Sequence, residues 1–167
     1  MGQIALMQPI VAPPRHVFAF FVPQRMPYWY GAEMESSLEV LGGASDFALG
    51  QKVRVAGTLA GRGVSHTAVI TAFASGQLLE WRFQDEHGVR GTERWELSAI
   101  PATSADAPEQ TIVRFTARYE MPGWFGGLLD RLVTRRAVER RSAGDLRRLA
   151  SLVEQRKQPT HAGSVVR

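Results

Sequence analysis

No cysteine occurs among the 167 residues, which excludes disulfides, thiolate metal sites and a cysteine nucleophile. No run of about 18 apolar residues exists, so a membrane-spanning helix is not expected. Met1 to Val11 has neither a basic n-region nor a small-residue cleavage site, and no signal peptide is expected there. Leu6 stands where a myristoylation motif takes Ser or Thr. A cytoplasmic location is the default expectation. The motifs Gly-x-Ser-x-Gly, His-Glu-x-x-His and Gly-x-x-x-x-Gly-Lys-Ser/Thr are all missing, as is Gly-x-Gly-x-x-Gly between a strand and a helix. The four histidines, His16, His66, His87 and His161, are scattered without metal-ligand spacing and read as surface or hydrogen-bonded residues. The glycine-rich stretch Gly57 to Gly63 lies between strand-like segments and has no following helix to hold a phosphate, so it reads as a hairpin bend. No metal or cofactor is expected.

Apolar residues make up 44% of the chain and charged residues 22%, an ordinary globular composition at the usual size of one domain. The net charge is +4, and its source is local: Trp124 to Lys157 holds nine Arg and Lys against four Asp and Glu. Arg131, Arg135, Arg140, Arg141, Arg147 and Arg148 could present a basic helix to water, to an anionic lipid surface or to a protein partner. Peripheral membrane contact is therefore open. Nucleic acid is not expected, because the outward strand faces mix both signs and show no exposed stacking aromatics. The oligomeric state is not legible.

Gln3 to Val11 reads as a strand. Pro13 and Pro14 suit the first turn of a helix, where a missing N–H costs nothing, and Val17, Phe18 and Phe21 continue it as a short amphipathic stripe. A second short helix is expected over Pro27 to Ala32. Alternating segments then follow at 35–41, 51–59, 65–73, 77–84, 89–100 and 111–121, separated by turn signals such as Ala74-Ser75-Gly76. Leu79, Trp81 and Phe83 oppose Glu80, Arg82 and Gln84; Val113, Phe115, Ala117 and Tyr119 oppose Arg114, Arg118 and Glu120. Period two with one apolar face predicts an antiparallel sheet wet on its other side. Pro122-Gly123 ends the strands, and a long helix is expected from Trp124 to Gln155. Residues 1–157 read as one domain and 158–167 as a polar, flexible tail. The sheet's apolar face needs a cover, and only the C-terminal helix is long enough. The fold expected is α+β, a curved seven-stranded antiparallel sheet around that helix.

This order resembles the helix-grip fold of the START-like, polyketide cyclase/dehydrase superfamily. Ile10-Val-Ala-Pro-Pro-Arg-His-Val-Phe18 is similar to the family's passage from first strand to first helix. Trp29 sits where such proteins often carry a tryptophan in the second short helix. Thr111-Ile-Val-Arg-Phe115 resembles the last strand, and Leu146, Leu149 and Glu154 resemble the closing helix. The resemblance covers about residues 3 to 156. It implies an internal ligand cavity but no particular activity, since the superfamily contains enzymes and carriers alike.

Candidate cavity residues follow from strand parity and helix phase. Trp29, Trp81, Phe83, Trp95, Phe115 and Tyr119 have the position or phase to face inward, either as core or as cavity lining. Glu93 shares parity with Trp95 and Leu97, so it should face inward, unless it stands at the strand end by the cavity mouth or a one-residue bulge turns it out. With Leu132 at the centre of the helix's buried face and about 100° per residue, Phe125, Leu128, Ala143, Leu146 and Ala150 fall on one line, and so do Arg136 and Glu139. Those two charges either pair with each other, extend past the sheet rim, sit where the helix rotates to turn Val138 inward, or border a solvated cavity. A cavity of at least about 300 Å³ is expected, lined by Trp81, Trp95, Phe115 and Leu132, with Arg136 and Glu139 turned toward it. Two functions compete. A binding module for a lipid, quinone or polyketide-like molecule needs only the cavity and one or two polar anchors. A cyclase/dehydrase needs an acid/base pair, for which Glu93, Glu139 and Arg136 are the candidates. The binding reading is favoured.

Overall fold

The computed structural model describes residues 2–59, 62–101, 104, 107–120 and 128–155, with side chains described at all of these except 59, 62 and 128–134. Strand β1 (Gly2–Ile10) leads into the short helix α1 (Pro14–Phe18) and two single 3₁₀ turns, Met26–Tyr28 and Ala32–Met34. Six strands follow: β2 (Ser37–Val40), β3 (Lys52–Leu59), β4 (Arg62–Ala74), β5 (Leu78–Asp85), β6 (Arg90–Ile100) and β7 (Gln110–Glu120). The long helix α2 (Leu128–Gln155) closes the described chain. The expected α+β helix-grip architecture is the one observed. The tail expected over 158–167 lies outside the described residues.

The strands form one antiparallel sheet in the order β1-β7-β6-β5-β4-β3-β2. Consecutive strands from β2 to β7 pair by hairpin logic, while β1 joins at the far edge beside β7. Alternation decides which face is covered. On β7, Thr111, Val113, Phe115, Ala117 and Tyr119 are buried, whereas Arg114 and Arg118 are exposed. The outer face carries charge ladders instead: Arg94 donates to Glu80 at 2.9 Å and to Glu96 at 2.7 Å.

Cross-strand register sorts the inner face into rows. One row runs Leu79, Trp95, Phe115, Leu6; the next runs Ile70, Trp81, Glu93, Ala117, Ile4; a third runs Ala68, Phe83, Gly91, Tyr119, Gly2. The first two rows hold Trp95, Phe115 and Trp81. Trp81 and Trp95 meet edge to face with centroids 4.9 Å apart, Trp95 lies 5.3 Å from Phe115, and Trp29 lies 4.9 Å from Phe21. Such pairs add about 0.5–1.5 kcal/mol beyond the area they bury. Trp29 is seated by an indole N–H that donates to the Phe20 carbonyl at 3.0 Å.

Helix α2 covers this end of the sheet with Leu146, Leu149, Ala150 and Val153, all buried. Side chains along the helix also tie down the connection between β1 and β2. Glu154 accepts the Val11 N–H at 3.0 Å, Arg148 donates to the Tyr28 carbonyl at 2.8 Å, and Asp145 accepts the Gly31 N–H at 3.2 Å. Among the described residues no helix is long and apolar enough to cross a membrane.

Candidate functional site

Beyond the tryptophan rows the sheet and helix separate, leaving a cavity of about 290 Å³. The third row sets its wall. Its glycines leave room for two rings: Phe83 lies over Gly91 and Tyr119 over Gly2, where an added Cβ would collide with them. The hairpin between β5 and β6, the ends of β3 and β4, Met34 and helix α2 complete the lining, which includes Val55, Val64, Asp85, Glu86 and Val89. The volume falls at the lower edge of the roughly 300–1,000 Å³ typical of small-molecule sites.

Glu93 carries the polar chemistry. Parity aims it inward as expected, and no bulge turns it out. Its Oε2 accepts the Tyr30 hydroxyl at 2.7 Å and the Trp81 indole N–H at 2.9 Å. Both donors are neutral. Burial, with the neighbouring Glu93 carboxylate, pushes the Tyr30 phenol well above its usual value, so it stays protonated. Among the described residues no ion pair forms at Glu93.

His66 stands on the same inner face of β4 as Ala68 and Ile70, with its ring 5.4 Å from that of Phe83. Among the described residues its buried Nε2 has no hydrogen-bond partner. Desolvation lowers its pKa, nearby Glu93 and Asp85 pull the other way, and Arg141 adds to the lowering; the net result favours a neutral imidazole. Helix α2 contributes Val138 and Arg141 to the lining.

The expected site is thus reorganised. Phe83, Glu93 and Tyr119 line the cavity. Trp29, Trp81, Trp95 and Phe115 do not; they fill the closed end, because ring-on-ring packing there leaves no space. The residual void beside Trp29, Trp95 and Phe115 is about 10 Å³, room for no more than about one water. Trp81 touches the cavity chemistry only through its N–H to Glu93. The side chain of Leu132 lies outside the described residues. Arg136 and Glu139 are exposed and do not line the cavity. The reason is coverage rather than helix phase alone. Glu139 is in phase with Leu146, yet it is exposed where Leu146 is buried. Glu139 and Arg135 stand near enough to Tyr119 to act on its ionisation, which burial raises. Inward projection on this part of the helix passes to Val138 and Arg141 instead.

Sequence reasoning missed Tyr30, His66, Arg141 and Asp145. His66 was visible through its period-two relation to Ala68 and Ile70, but a search for metal spacing passes over a lone histidine. Asp145 stands next to Leu146 on the covered face of α2. Its carboxyl is pushed up to about 7 by burial, against the opposing influence of Arg141 and the Gly31 N–H. Nothing in the sequence announces that an aspartate so placed is enclosed.

Comparison with known proteins agrees with this architecture. A search of curated proteins finds no significant match. Among solved structures, the Zhui aromatase/cyclase from Streptomyces sp. R1128 superposes with a TM-score of 0.64 at 18% identity, covering 97% of this chain and 98% of that one. A START superfamily protein from Mycobacterium smegmatis gives 0.68 at 12% identity, covering 93% and 99%. A protein from Thermus thermophilus gives 0.64 at 23% identity, covering 94% and 100%. Identities this low speak to the fold. The sequence itself carries the assignment: matched over residues 1–154, the chain belongs to the polyketide cyclase / dehydrase and lipid transport family.

Proposed function

We propose that this protein binds a small molecule with an apolar body and a polar end, lipid-, quinone- or polyketide-like, in the cavity between sheet and helix. The observation that carries this reading is the 290 Å³ cavity itself. Its wall joins Val55, Val64, Phe83 and Tyr119 to one oriented carboxylate, Glu93. Apolar walls supply affinity, and a few fixed polar groups orient the ligand. The size favours a compact ring system or a single chain over a two-chain lipid.

Binding of the neutral dye Nile red tests the reading. The parent protein should enhance its fluorescence saturably, and Val64→Trp, which fills the cavity, should abolish that response while circular dichroism stays unchanged. An equal response from both proteins would refute the internal site. Native mass spectrometry of the purified protein would then identify any ligand carried from the cell.

A cyclase/dehydrase activity is the second reading. It is favoured by one feature, an inward carboxylate and an imidazole nitrogen without a partner among the described residues, both lining the cavity. Turnover of a β-hydroxyketone that Glu93→Gln abolishes without loss of Nile red binding would establish it. Absence of turnover with intact binding leaves a carrier.

A further inference from the structure

Hydrogen bonding around Glu93 is one-sided. Both protein donors, the Tyr30 hydroxyl and the Trp81 indole, meet Oε2. Oε1 has no donor among the described residues, and the residue lines the cavity. Of the described side chains only His66 has a polar atom that is both buried and unpartnered, so Oε1 is open to the cavity space, its lone pairs available to a donor there. The natural complement is a donor on the occupant.

The charges on the wall sharpen the choice. Among the described residues Glu93, Asp85 and Glu86 line the cavity against one arginine, Arg141. Asp85 is engaged by its own hairpin, accepting the His87 and Val89 N–H groups at 2.9 Å and 2.8 Å. His66 offers an imidazole whose Nε2 has no partner among the described residues, a second place on the wall suited to a hydrogen bond. A carboxylate on the occupant would meet Glu93 as a like charge, which is disfavoured in a partly desolvated site. A hydroxyl would give its proton to Oε1, a charge-assisted bond of the stronger kind.

We infer that the cavity selects neutral, hydroxyl-bearing ligands, phenols, enols or alcohols, over carboxylates, with Glu93 Oε1 accepting the hydroxyl proton. This rests on the binding function proposed above and names the ligand class that function takes.

Three probes of one shape test it: 1-hydroxypyrene, 1-methylpyrene and pyrene-1-carboxylate, titrated by fluorescence at pH 7. The hydroxyl probe should bind about 10-fold or more tightly than either of the others, the margin expected of one hydrogen bond to a charged group. In Glu93→Gln the amide oxygen can still accept from Tyr30 and Trp81 while the NH₂ group turns to the cavity. That variant should lose the hydroxyl preference by a similar factor, gain affinity for the carboxylate and leave methylpyrene unchanged. Near-ultraviolet circular dichroism checks that the tryptophan cluster is intact, and Glu93→Asp, which keeps the charge but shortens its reach, should give an intermediate loss. Equal binding of all three probes, or tightest binding of the carboxylate, overturns the inference while the binding function stands. Failure of all three to bind a protein that also fails with Nile red overturns both.

Discussion

An Asp145→Asn variant should gain stability on the parent chain as pH rises, because the parent must bury an ionised carboxylate that the variant lacks. Asp145 is 7% exposed, and burial raises its pKa from 3.8 to about 7. The folded state therefore keeps a proton at pH values where the unfolded chain has released it. The stability contributed by the protonated form is fully present below 3.8, declines as pH rises toward about 7, and is constant above it. A one-unit difference in pKa between folded and unfolded states corresponds to about 1.36 kcal/mol, so the stability difference, variant minus parent, should grow by roughly 4 kcal/mol between about pH 4 and pH 8. The amide oxygen can still accept the Gly31 N–H, so the loop attachment is retained. Urea unfolding followed by tryptophan fluorescence, at half-unit steps of pH, measures the difference directly. Groups common to both proteins cancel, apart from small effects through the coupled neighbours Arg141, Glu93 and Glu33. Parallel stability curves across the whole range would show that Asp145 titrates like an exposed carboxylate and that its enclosure is wrongly described.

Thr111→Val removes a buried hydroxyl that donates to the Ala12 carbonyl at 2.6 Å; the orphaned carbonyl should cost about 1–3 kcal/mol in urea unfolding. Gly91→Ala places a methyl group against the Arg118 carbonyl oxygen and the Phe83 ring, and should cost about 1–3 kcal/mol while altering Nile red binding through the displaced Phe83. Neutralising the exposed Arg140 and Arg147 together should change stability by no more than about 0.5 kcal/mol per site, and unfolding of that double variant would contradict their placement on the wet face of α2.

Strand parity made most of the fold legible. The alternation of Val113, Phe115, Ala117 and Tyr119 places β7 correctly on sequence alone, because a half-buried strand must alternate. The inward aim of Glu93 followed from the same rule. Helix phase was less informative, since it says which residues share a face but not what lies opposite. Leu146 and Leu149 meet the sheet, whereas Glu139, two turns before Leu146 on nearly the same line, meets solvent near Tyr119. The division between packed aromatics and cavity lining was not legible either. It depends on which cross-strand row a ring occupies, and rows depend on register. The shift between Ile70 and Ala72 on β4, after which Phe73 rather than Ala72 pairs with the inward Leu79, has no signature in the local residues.

The order of the sheet also bears on how the chain is made. Strand β2 can pair with β3 as soon as the next dozen or so residues have been synthesised. Strand β1 is made before the other six strands, yet its sheet partner is β7, which begins at Gln110, 100 residues after β1 ends at Ile10. At about 5–20 residues per second this leaves β1 without its partner for roughly 5–20 s. Until then Ile4 and Ile10, buried in the finished protein, lack the β7 residues opposite them, Ala117 and Thr111. The last strand made thus receives the first, and the N-terminal segment, rather than any loop, is where holdase binding during translation should concentrate.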